Sequence, residues 1–466
     1  MSQLNVLAFD LGASSGRAIV GCFDGTRVTL QEVHRFDNGV VDMRGHLYWA
    51  MAHLYDEMCA GLRAAQQAGP ITSMGIDTWG VDGAFLGAHD TLLGYPCAYR
   101  DFELDNMNAC IAELGAERLY GITGIQFMPF NTIFQFYRHR RQGNPVLAAA
   151  ARFLFIPDYL RFLFTGDARN EYTIASTAQM LDARSRTWSP EILELLGLPL
   201  ALLGELIEPG AVCGTVEDTQ IKAIAVAGHD TGSAVLSVPA TGGDSWAWLS
   251  SGTWSIIGVE TDEPITSEES RARNFSNEGG AYGTIRYLKN IAGLWLAQEC
   301  RRVWKEQGKD YSYADLDRLV KDTPAGGPII DVDDPRFAAP TDMPAEIQAA
   351  CREGGQRVPE SVGEIQRCIL ESLAARYAER LDELARLTGR SFARLHMVGG
   401  GINNRRLNQM TADACNMAVE TGPVEGTAIG NIIVQLIALG EVDDIAQGRE
   451  LIKSSFPTDI YEPRHQ

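Results

Sequence analysis

The chain has no run of 18 or more apolar residues, so no membrane-spanning helix is expected. Met1 leads into an apolar stretch without a basic n-region, so no targeting segment is read and a cytoplasmic location is expected. The nine cysteines (22, 59, 97, 110, 213, 300, 351, 368 and 415) are scattered, with no Cys-x-x-Cys and no His-rich zinc spacing. Free thiols are expected in a reducing compartment; Cys351 and Cys368 are the one pair to watch, with free thiols favoured there too. Positive charge is in short supply, with 40 Lys plus Arg against 60 Asp plus Glu and a net charge of −20. Such a surface should repel nucleic acid and anionic membranes. The pattern G-x-x-x-x-G-K-[ST] is absent, which disfavours a P-loop. Nothing is of low complexity.

At 466 residues the chain exceeds one compact core and fits two large domains; 45% apolar and 21% charged residues mark it as globular. Helical segments alternate with apolar strands, as in a helix over 51–67 before a strand over 71–76. A long helix over 364–387 precedes a strand over 395–398. That alternation predicts an α/β fold. Gly/Pro punctuation marks loops at 208–210 and 324–328. A domain change is placed in 239–244, giving domains 1–239 and 240–466.

The strongest chemical signal is Gly228-His229-Asp230-Thr231-Gly232, after the apolar run 221–227 that reads as a buried strand. Flanking glycines let a ligand approach the backbone, and Asp230 is of the right type to take a proton from a hydroxyl. An Asp in a strand-to-helix turn is also an ordinary N-cap, and these residues alone leave both readings open. Near the N-terminus, 4–10 and 18–22 read as two strands of a hairpin around a small-residue turn. The N–H groups and hydroxyls of Ala13, Ser14, Ser15 and Gly16 suit phosphate oxygens, and Asp10 suits Mg²⁺ held through water. The alternative is a plain Gly/Ser hairpin. Residues 247–259 repeat strand, Ser/Gly/Thr turn and strand half a chain later, suggesting two related halves facing one nucleotide. Gly399-Gly400-Gly401 follows a short strand and would let backbone lie against adenine or ribose; a flexible turn is the other reading.

These blocks resemble the FGGY carbohydrate kinase family of the actin-like ATPase superfamily. The resemblance rests on DLGASSGR (10–17), GIDTWGVD (75–82), GIQFMPFNT (124–132), NEYT (170–173), SSGTWS (250–255) and NEGG (277–280). It continues through LKNIAGLWL (288–296), VGGG (398–401) and GPVEGTAIGN (422–431), so it spans nearly the whole chain. It implies two actin-like ATPase (ribonuclease H-like) domains with a nucleotide/sugar cleft between them, an N-terminal sugar-binding and a C-terminal nucleotide-binding one. It implies ATP and Mg²⁺, with Asp230 as the base and His229 and Thr231 on the sugar. His229 as a buried supporting histidine stays open. ATP is assigned to Ala13, Ser14, Ser15, Gly16, Arg17, Thr253, Gln298 and Gly400, and sugar also to Gly80 and Asn290.

Asn290 and Gln298 are eight residues apart, which would set them on one face of a helix. Without the resemblance they read as a cap and a surface residue. Relatives acting on glycerol carry Arg and Glu where Gly80 and Val81 stand, so a larger sugar is expected here. The combination of GIDTWGVD with LKNI-GLWL implies L-rhamnulose, phosphorylated on its 1-hydroxyl. Another ketose or polyol kinase, acting on L-fuculose or xylulose, is the alternative; an actin-like assembly or chaperone ATPase is the remote one. Trp79 reads equally as a sugar platform or a core residue. Asn404 is a candidate adenine contact, residues 310–345 carry no assignable chemistry, and the oligomeric state stays open.

Overall fold

The computed structural model describes residues 3–241 and 245–464. The expected domain change includes Gly242, Gly243 and Asp244, which lie outside the described residues. Chain contacts divide into two units. The first comprises residues 3–241, Glu260–Tyr287 and Gly426–Phe456; the second comprises residues 245–259, Leu288–Glu425 and 457–464.

The first unit is built on a six-stranded sheet, in the order Val212–Thr215, Lys222–Ile224, Ser73–Thr78, Leu4–Leu11, Ser15–Phe23, Val28–Asp37. Leu4–Leu11 alternates its side chains between two apolar layers, the period-two signature of a strand. Leu7, Phe9 and Leu11 pack with Leu54, Met58 and Leu62 of the helix Met51–Ala68. Val6 and Ala8 pack with Ile429, Ile432, Ile433 and Leu436 of the helix Gly426–Ala438. Each such buried side chain contributes about 1.5–3 kcal/mol, so both helices are held by their apolar faces. A separate cluster around Phe134, Phe136, Phe153 and Phe155 fills the α-helical part of this unit.

The second unit repeats the arrangement. Strands Trp254–Thr261, Trp246–Ser251, Arg394–Val398, Ala418–Thr421 and Asp459–Tyr461 lie in that order. In both units a hairpin's first strand pairs in parallel with a later strand: Leu4–Leu11 with Ser73–Thr78, and Trp246–Ser251 with Arg394–Val398. The two expected hairpins and the two related halves are therefore present. The long helix runs Val362–Thr388, opened by a Ser361/Glu364 capping box and closed by left-handed Gly389.

The expected strand over 221–227 is shorter, Lys222–Ile224; residues 225–229 then lead into the helix Asp230–Leu236. Residues 310–345 form the helix Tyr313–Asp322, a 3₁₀ turn Pro335–Phe337 and the start of the helix Met343–Glu353. All nine cysteines are free thiols, and burial pushes Cys368 up to about 12. Among the described residues no helix is long and apolar enough to cross a membrane.

The helix carrying Asp230 lies directly on Gly426–Ala438. A side chain at Gly430 would put its Cβ 1.8 Å from the carbonyl oxygen of Ser233, so only glycine allows this approach. Gly430→Ala should lower stability by about 1–3 kcal/mol through overpacking, read from the urea midpoint. Gly121→Ala is the control: Gly121 sits in the helix Ala116–Thr123 with open space around it and should be neutral or stabilising. Equal effects at the two sites would contradict this packing account.

Candidate active site

Three acidic residues stand at the ends of neighbouring chain segments in the first unit. Asp10 lies near the end of Leu4–Leu11, in register with Asp77 on Ser73–Thr78. Thr78 in turn bridges to His229, and its N–H donates to the Gly228 carbonyl at 2.9 Å, which brings Asp230 to the same edge. Arg17, in register with Asp10 across the hairpin, donates to Asp10 Oδ2 at 2.5 Å. Asp77 is fully buried; its Oδ2 accepts from Asn431 Nδ2 at 2.7 Å, while its Oδ1 has no hydrogen-bond partner. Asn431 Oδ1 accepts from Gln435 Nε2 at 2.7 Å, and Ser73 Oγ donates to Gln435 Oε1 at 2.7 Å. Gly75 makes the room, since a Cβ there would sit 2.5 Å from Asn431 Oδ1. Burial, then the Asp10 charge, raises Asp77 well above the usual carboxylate range; the Asn431 hydrogen bond pulls against them and Asp230 adds to the rise.

Asp230 is the accessible member, with its side chain 33% exposed against 7% for Asp10. It is the first residue of its helix, and His229 occupies the cap position, so the N-cap reading of Asp230 is displaced by one residue. Its Oδ1 accepts from Thr231 N at 2.6 Å and Thr231 Oγ1 at 3.2 Å, and lies 3.3 Å from His229 Nε2. No hydrogen bond from the described residues reaches Oδ2. The loop before it is tied down by Glu171 of the NEYT motif. Glu171 Oε2 accepts the Gly228 N–H at 2.9 Å and the Thr173 hydroxyl at 2.6 Å, while Oε1 accepts the Thr173 N–H at 2.6 Å.

Gly80 and Val81 form a shelf beside His229. A Cβ at Gly80 would lie 3.2 Å from His229 Nε2 and 3.4 Å from Thr177 Cγ2. Val81 has φ +66°, a strained conformation for a β-branched residue. Thr177 Oγ1 holds its N–H at 3.1 Å, and Thr132 Oγ1 donates to its carbonyl at 2.6 Å. Asp82 then accepts Trp49 Nε1 at 2.7 Å, Trp79 Nε1 at 3.1 Å, Tyr99 N at 2.9 Å and Gln135 Nε2 at 3.0 Å. Trp79 is a buried residue whose ring centroid is 3.9 Å from that of Trp49, so of its two readings the core one holds.

The first turn is braced by Asn38, whose N–H donates to Ser14 O at 3.1 Å and whose Nδ2 donates to Gly12 O at 2.7 Å. Ser14 is exposed, with Ala13 and Ser15 half-buried beside it. Gly16 is small for a reason that the sequence did not show: a Cβ there would strike the Phe36 ring at 2.3 Å. A larger residue at 16 therefore tests core packing before it tests a ligand.

In the second unit, Thr253 and Gln298 meet, Thr253 Oγ1 donating to Gln298 Oε1 at 3.2 Å. Gly399 and Gly401 press against Ser251, where added Cβ atoms would lie 2.8 and 2.2 Å from Ser251 O and Oγ. Gly400 between them faces open space and is the exposed glycine of the three. Asn290 and Gln298 do not share a helix face. Asn290 lies on the strand Ile285–Ala292 and Gln298 on the helix Trp295–Glu306, because Gly293 turns the chain against the 252–254 carbonyls. Asn404 caps the helix Arg405–Cys415 through Leu407 N at 3.0 Å. Asp333 Oδ1 accepts Ala292 N at 2.9 Å, and Phe337 O accepts Trp295 Nε1 at 3.0 Å, so 310–345 braces the Asn290 segment.

The repeated hairpin units, with glycine-rich turns at their strand ends, have the architecture of an actin-like ATPase. The xylulose kinase from Lactobacillus acidophilus has the same fold, with a TM-score of 0.80 at 16% identity over 99% of this chain and 94% of its own. Residues 5–237 match the N-terminal domain, and 247–439 the C-terminal domain, of the FGGY family of carbohydrate kinases. The rhamnulokinase of Enterococcus faecalis is 45% identical over 469 residues, 98% of this chain and 94% of its own. That of Bacteroides thetaiotaomicron is 45% identical over 470 residues, 99% and 96% respectively. The chain belongs to the FGGY family of carbohydrate kinases. It is a sugar kinase.

Burial pushes the Asp82 carboxyl up to about 7, against the pull of its four donors. Its folded pKa thus exceeds the unfolded 3.8, and the native state holds a proton that the unfolded chain loses. The stability this contributes is fully present below about pH 4 and lost by about pH 7. Asp82→Asn removes that titration. Denaturant unfolding across this range should show the variant gaining on the native protein as pH rises; parallel curves would contradict a protonated Asp82.

Proposed function

We propose that this chain transfers the γ-phosphoryl group of ATP to the 1-hydroxyl of L-rhamnulose, giving L-rhamnulose 1-phosphate and ADP, in cytoplasmic L-rhamnose catabolism. The observation that carries the reading is 45% identity to two rhamnulokinases over almost the whole chain. The accessible Asp230 beside an open glycine shelf supports it.

Phosphoryl transfer needs an aligned hydroxyl, an acceptor for its proton and stabilisation of phosphate charge. Asp230 is the base: its Oδ1 is held by Thr231, and its Oδ2 takes the hydroxyl proton as the sugar oxygen attacks the γ-phosphorus and the bond to ADP breaks. His229, Thr231, Gly80 and Asn290 bind the sugar. Ala13, Ser14, Ser15, Gly16, Arg17, Thr253, Gln298 and Gly400 bind ATP. Residues 1–239 then serve mainly the sugar and 240–466 the nucleotide.

A divalent cation fits the acidic edge. Asp77 Oδ1 is buried without a partner, and Asp10 and Asp230 raise the cost of its charge. Among the described residues no group of three His, Cys, Asp or Glu could hold a metal ion directly. Mg²⁺ keeps several of its waters, so Asp10 would reach it through water. When bound, Mg²⁺ would supply positive charge to the phosphates.

A coupled ADP-release assay over L-rhamnulose, L-fuculose, xylulose and glycerol tests the substrate. L-Rhamnulose should give the highest kcat/KM, with phosphorus NMR identifying the 1-phosphate. Higher activity on xylulose or glycerol would overturn the substrate and leave the kinase standing. Gly80→Arg should raise the sugar KM steeply with ATP binding little changed, since the side chain starts 3.2 Å from His229 Nε2 and its charge would be partly desolvated.

A further inference from the structure

We propose that a cavity in the first unit, between the hairpin of Val40–Met43 with His46–Trp49 and the strand Gly83–Leu86, binds an aromatic monocarboxylate, with its rings against Phe85, Phe136 and Phe153 and its carboxylate on Arg44. Gly80, Val81, His229 and Asp230 do not line this cavity, and the proposal does not rest on which sugar is phosphorylated.

The cavity measures about 370 Å³, within the size range of small-molecule sites. Its inner end is aromatic. Phe136 and Phe153 are 1% and 3% exposed, and with Phe85 they form a triangle of rings whose centroids lie 5.4, 5.1 and 4.9 Å apart. Gly83 lets this wall close up, since a Cβ there would lie 2.3 Å from Phe153 Cζ. The wall is fixed by backbone, because Gly83–Leu86 pairs antiparallel with Arg152–Phe155. Rings held in this way favour a flat apolar body. The outer end is open. Tyr95 there is 66% exposed, and its ring stands edge-on to Tyr48 at 6.1 Å.

Charge decides the class of ligand. The chain has 60 Asp plus Glu against 40 Lys plus Arg, yet no Asp or Glu stands among the described residues that line this cavity. Arg44 lines it, is exposed, and makes no ion pair or hydrogen bond with the described residues. Asp42, two residues before it, accepts the Gly45 N–H at 2.8 Å instead. Arg44 also takes the first position of a two-residue hairpin turn, at φ +59°, where Asn, Asp or Gly is the usual choice. No contact within the fold accounts for an arginine in that place.

The other groups around the cavity are neutral or engaged. Burial brings the His139 imidazole down to about 4 and pushes the Cys97 thiol above its usual range. The Thr132 hydroxyl donates to Val81 O at 2.6 Å, and Gln135 Nε2 donates to Asp82 Oδ1 at 3.0 Å. One cation at the rim of a neutral aromatic interior matches a flat apolar body with a single negative charge. The guanidinium fork takes a carboxylate through two parallel hydrogen bonds, and the rings gain by leaving water. A dianion would leave one charge unmatched, and a neutral ring would leave Arg44 unused.

The probe is 1-naphthylacetate, titrated calorimetrically into the full chain. It should bind with a Kd below about 1 mM. Its neutral counterpart, 2-(1-naphthyl)ethanol, should bind at least roughly 5-fold more weakly, and acetate should not saturate in the same range. Arg44→Gln should bring the acid down to the affinity of the alcohol and leave the alcohol unchanged. Val146→Trp adds a large ring at a half-buried wall residue and should abolish the binding of both. Circular dichroism melting reports the folding of each variant; Arg44→Gln, at an exposed turn, decides even if Val146→Trp fails to fold. The proposal is overturned by a native protein that shows no saturable binding or equal affinity for acid and alcohol. Unaltered affinity in Arg44→Gln, or binding that survives in folded Val146→Trp, also overturns it.

Discussion

Like charges gathered at one sheet edge are the constraint on which the rest of the first unit depends. Two unit charges about 4 Å apart repel by about 4 kcal/mol at an effective dielectric of 20. Each carboxylate therefore needs its own partner. Arg17 answers Asp10 across the hairpin, and Asn431 answers Asp77 from the helix Gly426–Ala438. Thr231 answers Asp230 from its own helix start. The three solutions differ in exposure: Asp77 is sealed, Asp10 nearly so, and the Asp230 side chain is a third exposed.

The same sheet edge sets the shelf of Gly80 and Val81. Thr78 leads from the buried strand into Trp79 and Gly80, and Val81 takes a backbone conformation that a β-branched residue avoids. Two threonines from different helices and the Asp82 network hold it there. Strain is kept where surrounding bonds over-determine the chain. The result is a side-chain-free patch beside His229, bounded by fixed groups. Gly430 extends the logic to Asp230, whose helix reaches its place only over a residue without Cβ.

Much of this was legible in the sequence because it is written in local pattern. Alternating apolar residues marked both hairpins, and the long helix was read over 364–387, within two residues of its ends at Val362–Thr388. Gly228 to Gly232 marked the turn bearing Asp230. What depends on long-range packing was not legible. Asn431 and Gln435 lie in the GPVEGTAIGN region and beyond, and their link to Asp77 spans 354 positions. Glu278 sat in a quoted motif, yet its ion-pair partner Arg286 carried no signal, because pairing across a hairpin depends on register. Gly16 looked like a bare phosphate loop, whereas its neighbour is Phe36. The shared helix face for Asn290 and Gln298 failed because Gly293 is a turn, a point that spacing alone does not reveal.

The central claim is that the exposed carboxylate of the cluster is the one that takes the proton. Turnover of Asp230→Asn on its preferred sugar, with sugar and Mg-ATP binding followed by calorimetry, tests it most directly. The substitution keeps the shape and removes the proton acceptor. Turnover should fall roughly 10²–10⁴-fold while both ligands still bind. A variant that turns over at close to the native rate would contradict the account.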